Sequence, residues 1–119
     1  MNDVSTPMIE TLERFLNVTS QRHTLVVSNM ANVDTPGYRA RDLDFRGELR
    51  RAVMNDQVTF MPIVRSVPGL LERPDGNNVN IDREGLLLAE TQMQFGLGVQ
   101  MVRHEFQQLM SAINEGSKG

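Results

Sequence analysis

The sequence lacks most of the side chains on which catalysis depends. Its 119 residues include no cysteine and no tryptophan, and only two histidines, His23 and His104. The missing thiols exclude disulfides, thiolate metal sites, iron–sulfur clusters and a cysteine nucleophile. Two histidines leave little for a zinc site or a histidine-based catalytic relay. We therefore expect no enzymatic activity, no metal and no cofactor.

Long apolar runs and an excess of positive charge are also missing. The longest apolar run covers only residues 86–89, whereas a bilayer-spanning helix needs about 20 residues. Charged side chains, among them Asp3, Glu10 and Glu13, interrupt the start of the chain, so no cleaved signal peptide is expected. A net charge of −3 and an aromatic content of 5% argue against nucleic acid binding. We expect neither nucleic acid as a partner nor direct membrane insertion.

The pattern over residues 7–31 predicts an N-terminal helix. Thr6 is a suitable N-cap and Pro7 suits the first helical position. The helix should end near residues 31–32, before the sequence Thr-Pro-Gly-Tyr at 35–38, which is typical of a type II turn. Side chains spaced alternately by three and four residues form a heptad seam, with Thr19 and His23 at its polar positions. Its apolar members are Ile9, Leu12, Leu16, Val26 and Met30.

A second, longer helix is predicted from Asp82 to about Asn114, with Asp82 as its cap and Gly116 with Gly119 at its end. Its alternating spacing of four and three residues defines another heptad seam. The seam consists of Leu88, Gln92, Phe95, Val99, Val102, Phe106, Leu109 and Ile113. A further apolar stripe lies on a neighbouring face and consists of Leu86, Met93, Leu97, Met101 and Met110. Two apolar faces indicate that this helix has more than one partner.

The middle of the chain differs in character from both helices. A short helix is indicated over residues 45–53, an extended or edge segment over 58–67, and turns at 68–69 and 74–78. Five arginines are concentrated here among acidic residues, which favours a solvated, salt-bridged segment, with a protein-contact patch as the second reading. They are Arg39, Arg41, Arg46, Arg50 and Arg51.

These features predict a mainly α fold. Its long N- and C-terminal helices form a coiled-coil pair, with a small, partly ordered insert that contains a short extended segment. The predicted divisions are residues 1–38 for the N-terminal helix and turn motif, 39–81 for the insert and 82–119 for the C-terminal helix. A 33-residue helix is about 50 Å long, more than the roughly 35 Å diameter of a compact domain of this size. The helix therefore either breaks, with Gly96 and Gly98 as candidates, or the molecule is elongated.

A resemblance to a known family is carried by two stretches of the chain, residues 28–45 and residues 75–84. Residues 28–38, SNMANVDTPGY, resemble the N-terminal signature of the flagellar rod and hook proteins. Residues 39–45, RARDLDF, and residues 75–84, DGNNVNIDRE, are similar to segments of the proximal type of rod protein in that family. The order of the motifs, the chain length and both terminal helices agree, so the resemblance covers nearly the whole chain.

The resemblance implies a structural subunit of the flagellar basal body, located in the rod in the periplasmic space. It implies export through the flagellum-specific type III apparatus and assembly into a helical tube that transmits torque and surrounds a channel. Expected partners are copies of the chain, other rod proteins, and proteins at the junction of the membrane ring and export gate. The alternatives are another rod subunit of the family or a cytoplasmic helical adaptor or chaperone.

The expected interface combines the two seams, meeting within or between subunits, with the turn motif. Its residues are Ile9, Leu12, Leu16, Val26, Met30, Asn32, Asp34, Thr35, Pro36, Gly37, Tyr38, Leu88, Phe95, Val99, Val102, Phe106, Leu109 and Ile113.

Overall fold

Two long helices joined by a small insert make up the protein. The structure is a computed structural model that describes residues 6–54 and 61–118. Its elements, in chain order, are α1 (Pro7–Ala31), β1 (Arg41–Asp42), α2 (Phe45–Met54), β2 (Arg65–Ser66) and α3 (Ile81–Lys118). This confirms the predicted mainly α fold. The molecule measures 71 × 26 × 19 Å, so the elongated alternative is the correct one.

α1 has the bounds that its sequence predicts. The hydroxyl of Thr6 accepts a hydrogen bond from the Ile9 amide at 3.1 Å, and Pro7 occupies the first turn. The helix ends at Ala31, and Asn32 follows as its C-cap. The cap and the first-turn proline satisfy or remove N–H groups that have no partner inside the helix.

α3 differs from the prediction at both ends. Asn80, not Asp82, caps its start: the Asn80 side-chain oxygen accepts from the Arg83 amide at 3.0 Å, and its carbonyl accepts from the Glu84 amide at 3.0 Å. At the other end Gly116 lies inside the helix. The predicted Asp82 cap and Gly116 terminus were therefore wrong, and Gly96 and Gly98 do not break the helix.

The insert contains one predicted helix and one unpredicted strand pairing. α2 agrees with the predicted short helix. β2 lies inside the predicted extended segment 58–67, of which residues 58–60 are outside the described residues. It pairs antiparallel with β1, placing Arg41 opposite Ser66 and Asp42 opposite Arg65. This pairing joins the start of the insert to the segment that follows α2.

α1 packs on two different sides. One side of α1 packs against the insert in a small core, where the rings of Phe15 and Phe45 meet edge to face with their centroids 5.8 Å apart. The other members of this core are Val18, Leu25, Leu43 and Ala52. A neighbouring side of α1 faces α3, and Phe15 takes part in both contacts because its ring also lies against Gly98. The side that faces the insert was not predicted, because a single heptad seam was traced along α1.

α1 and α3 run antiparallel but differ in length. Asn29 bonds to Glu84, His23 contacts Thr91, and Leu16 lies against Gly98. Continued toward the start of α1, this register ends opposite about residue 107. α3 therefore continues past its partner, and residues 110–116 are all exposed. Within the described ranges no helix is both long and apolar enough to cross a membrane.

Candidate assembly interface

The predicted turn motif closes the end of α1 through its own side chains. The Asn32 side-chain amide donates to the Ser28 carbonyl at 2.8 Å, and the Thr35 hydroxyl donates to the Asn32 side-chain oxygen at 3.0 Å. The Tyr38 amide then donates to the Thr35 carbonyl at 3.2 Å, across a turn in which Gly37 has φ of +75°. Glycine is required there because a side chain disfavours positive φ. The predicted type II turn is confirmed.

The turn motif is bound by the loop that leads into α3. The Asn77 side chain is fully buried and donates to the carbonyls of Asn32 and Thr35 at 2.9 and 2.8 Å. The Gly37 amide donates to the Asp75 carbonyl at 2.8 Å. Both segments that carry the family resemblance are therefore partners of each other within one chain. Their contacts fix the positions at which the chain leaves α1 and enters α3.

Asn29 is the centre of the polar contacts beneath the turn. Its amide nitrogen donates to the Arg41 carbonyl at 2.8 Å and to Glu84 Oε1 at 3.0 Å. Its oxygen accepts from the Arg41 amide at 3.1 Å and from the Tyr38 hydroxyl at 3.0 Å. An asparagine side chain can donate two hydrogen bonds and accept two, so this 1% exposed residue is fully satisfied. It ties α1, β1 and α3 together.

An ion network extends this cluster. Arg22 forms a bidentate pair with Asp42, at 3.1 and 3.0 Å. Arg83 bridges Asp42 and the fully buried Glu84, at 2.7 and 2.8 Å. Burial raises the pKa of Asp42, but the hydrogen bonds from Arg22, the Leu43 amide and Arg83, with the Arg22 charge, lower it below its ordinary value overall. Two guanidinium groups thus compensate two buried carboxylates, and α1, β1 and α3 are joined electrostatically.

The face of α3 against α1 lies one residue away from the predicted seam. Its buried members include Leu87, Thr91 and Gly98, whereas the predicted positions Leu88 and Val99 come directly after two of these. A Cβ at position 98 would lie 2.7 Å from a side-chain carbon of α1, so glycine permits the close approach of the helices. This face was missed because its buried members other than Leu87 are small or polar.

His23 has a defined role at this face. The Thr91 hydroxyl lies 3.1 Å from the Leu88 carbonyl and 3.0 Å from His23 Nδ1. When the hydroxyl donates its one proton to Leu88, it accepts from a protonated Nδ1. Beside this pair lies an open groove of about 290 Å³ between the helices. It is lined by Thr19, Ser20, His23, Thr91, Gln92 and Phe95.

The predicted interface residues of the N-terminal half are partly used within the chain. Ile9, Leu12 and Val26 are buried, whereas Leu16 and Met30 are half-buried. In the turn motif, Asn32 and Tyr38 are half-buried. The exposed residues of that motif are Asp34, Thr35, Pro36 and Gly37.

The predicted interface residues of α3 remain largely accessible to solvent. Phe95, Phe106 and Ile113 are 44%, 43% and 49% exposed. Leu88, Val99, Val102 and Leu109 are half-buried. We call one side of α3 the front stripe; it consists of Leu88, Phe95, Val99, Phe106 and Ile113. Four members of the second apolar stripe are 44–70% exposed, and its fifth member, Met110, is 39% exposed. We call those four the back stripe; it consists of Leu86, Met93, Leu97 and Met101.

The arginines of the insert are mostly at the surface. Arg39 pairs with Glu72, and Arg51 pairs with Glu48 at 2.8 Å. The Glu48 carboxylate also accepts from the Ile63 amide at 3.2 Å, which holds the segment before β2 against α2. These pairs agree with the salt-bridged interpretation of the segment.

The polar cluster itself was not predicted from the sequence. Asn29 was read only as part of a motif and Asp42 only as one of the acids among the insert arginines, while Arg22 and Glu84 received no role of their own. One signal was available: asparagine is unfavourable inside a helix unless its side chain finds specific partners. The partners, however, lie 12 and 55 residues away in the sequence.

Comparison with known proteins agrees with these features. The chain is 28% identical to the flagellar basal body rod protein FlgB of Salmonella typhimurium, covering 86% of this chain and 89% of the relative. It is 29% identical to that of Borrelia hermsii, over 82% and 89%, and 27% identical to that of Escherichia coli, over 86% and 89%. These relatives support a flagellar basal body rod protein of the FlgB type. No family model matches the chain.

The residues described above make packing, hydrogen-bond and ion-pair contacts. No three His, Cys, Asp or Glu side chains in the described ranges are grouped as a metal site would require. The polar cluster is internally paired, whereas the apolar stripes of α3 and the turn residues 34–37 are largely exposed.

Proposed function

We propose that the chain is a structural subunit of the proximal rod of the flagellar basal body. Copies assemble into a helical tube that transmits torque and surrounds the export channel. The carrying observation is α3, which extends beyond α1 and keeps apolar side chains exposed on two sides. Side chains such as Phe106 and Ile113 gain burial only when another helix covers them.

The polar cluster supports a role for each subunit in transmitting torque. Asn29 and the Arg22–Asp42–Arg83–Glu84 network join both helices to the insert at one end of the molecule. A tube that transmits torque needs subunits whose helices do not swivel against each other. The cluster supplies that rigidity, while the apolar sides of α3 supply the contacts between subunits.

The partners are other copies of the chain, further rod proteins, and proteins at the junction of the membrane ring and export gate. The subunit reaches the periplasmic space through the flagellum-specific type III apparatus. Its interface comprises the front stripe, Val102, Leu109, Leu16, Met30 and the turn motif from Asn32 to Tyr38. Ile9, Leu12 and Val26 are buried and make their contacts within the subunit.

The test is quantitative mass spectrometry of detergent-washed basal bodies from the source cell, compared with its cytosol. We expect the chain to be enriched with the other rod proteins. Absence from basal bodies together with abundance in the cytosol would refute the proposal and support a cytoplasmic adaptor. The relatives, which share one name over most of their length, do not favour that alternative.

A further inference from the structure

The front and back stripes face nearly opposite directions on α3. Leu86 and Phe95 are nine residues apart, as are Leu97 and Phe106. At about 100° per residue, nine residues give two and a half turns, so the members of each pair lie on opposite sides. An exposed apolar stripe marks a surface that another molecule covers. α1 covers only one side of α3, so two sides need cover from outside the chain.

The two stripes have complementary shapes. The front side contains the groove of about 290 Å³ beside His23, with Phe95 as one of its walls. The back side carries protruding side chains, of which Leu86 and Met93 are each 70% exposed. Methionine is unbranched and adapts to irregular cavities, so Met93 suits a groove of mixed polar and apolar lining.

The size of each stripe indicates how the contact is used. A fully buried Leu or Met side chain removes roughly 60–120 Å² from water, from about 1.5–3 kcal/mol at 25 cal/mol per Å². The four residues of the back stripe, 44–70% exposed, therefore present on the order of 200 Å². A stable protein pair buries about 800 Å² on each partner. One such contact is therefore too small to hold two copies together in dilute solution. A copy bound on both sides of α3 has about twice that area.

We propose that copies of this chain join front to back, with Met93 of one copy entering the groove beside His23 of the next. The contact uses different patches on the two copies, so it does not close into a dimer but continues from copy to copy. Because one such contact is too small to hold two copies together, a new copy joins the assembly only where neighbouring copies are already in place. This inference rests on the proposed function, because it requires several copies side by side in one assembly.

Site-directed cross-linking tests the contact, because the chain has no cysteine of its own. Cells would co-express the variants Ser20→Cys, at the groove, and Met93→Cys, on the back stripe, and basal bodies would be treated with a short bismaleimide. We expect a cross-linked species of two copies only when both variants are present. The matched control replaces Ser20→Cys by Arg50→Cys, which places the thiol on the exposed side of α2 and gives no such species.

The outcomes separate this inference from the proposed function. If both variants support swimming and enter basal bodies but yield no two-copy product, the front-to-back contact is refuted while the rod function stands. Cross-linking of Met93→Cys to a different rod protein refutes it in the same way and identifies the true occupant. If the unmodified chain is absent from basal bodies, the rod function itself fails.

Discussion

Asn29 provides the sharpest test of how the two helices are held. Asn29→Ala removes the four hydrogen bonds of the Asn29 side chain, so polar groups of Tyr38, Arg41 and Glu84 each lose a hydrogen-bond partner. Each buried polar group left unpaired costs about 1–3 kcal/mol. Glu84 keeps Arg83 and the Tyr38 hydroxyl can reach Ser28, so we expect a loss of about 3–5 kcal/mol. That is a large part of the 5–15 kcal/mol typical of a whole domain.

A second substitution at the same position separates hydrogen bonding from packing. Asn29→Asp keeps the shape but replaces the donor to Glu84 by a carboxylate oxygen. At neutral pH two carboxylates then face each other at about the present 3.0 Å, which is strongly unfavourable in a buried site. We expect Asn29→Asp to be less stable than Asn29→Ala at pH 7, and the difference to narrow as acid protonates the introduced group.

The assay is urea unfolding of the isolated chain followed by circular dichroism at 222 nm. The matched control is Asn17→Ala, an exposed asparagine in the same helix whose oxygen accepts one bond from Gln21 at 3.3 Å. Its loss should stay within about 0.5 kcal/mol. If Asn29→Ala unfolded within 1 kcal/mol of Asn17→Ala, the polar cluster would not be what joins the helices.

Three further predictions follow from the same structure. Gly96 has open space around it, so Gly96→Ala should stabilise the isolated chain by about 0.5–1 kcal/mol. Gly98 lies against α1, so Gly98→Val should destabilise it by about 1–3 kcal/mol through overpacking. Equal thermal unfolding midpoints for the two variants would contradict this difference. The Asp42 pKa is lower in the folded than in the unfolded chain, so acid favours unfolding. The stabilisation that ionised Asp42 provides is complete above the ordinary pKa of 3.8 and is lost as the pH falls toward the folded pKa. Asp42→Asn should therefore flatten the acid side of a plot of unfolding midpoint against pH, and an unchanged slope would argue against it. Phe106→Asp should abolish swimming, while the isolated variant unfolds at the same midpoint as the unmodified chain. Gln107→Asp is the control and should swim. If Phe106→Asp cells are motile, the front stripe is not part of the interface.

The local elements could be predicted from the sequence because their causes are local. Thr6 and Pro7 mark the start of α1, and the Pro36–Gly37 pair marks the turn after it. These features depend on backbone preferences of neighbouring residues, which no distant contact needs to supply. The family resemblance has the same basis, since it rests on the continuous segments 28–38 and 75–84.

The sequence by itself therefore determined the helices, the turn and the kind of protein, whereas the tertiary structure decided what each face does. Periodicity identifies apolar stripes but does not say which of them meets α1, and the largest side chains were taken for the contact. The close approach of the helices instead required Gly98 and Thr91, which leaves Phe95 at the surface. The joining of Asn29 to Glu84 depends on atoms that folding brings together across 55 residues, which no pattern of neighbours encodes.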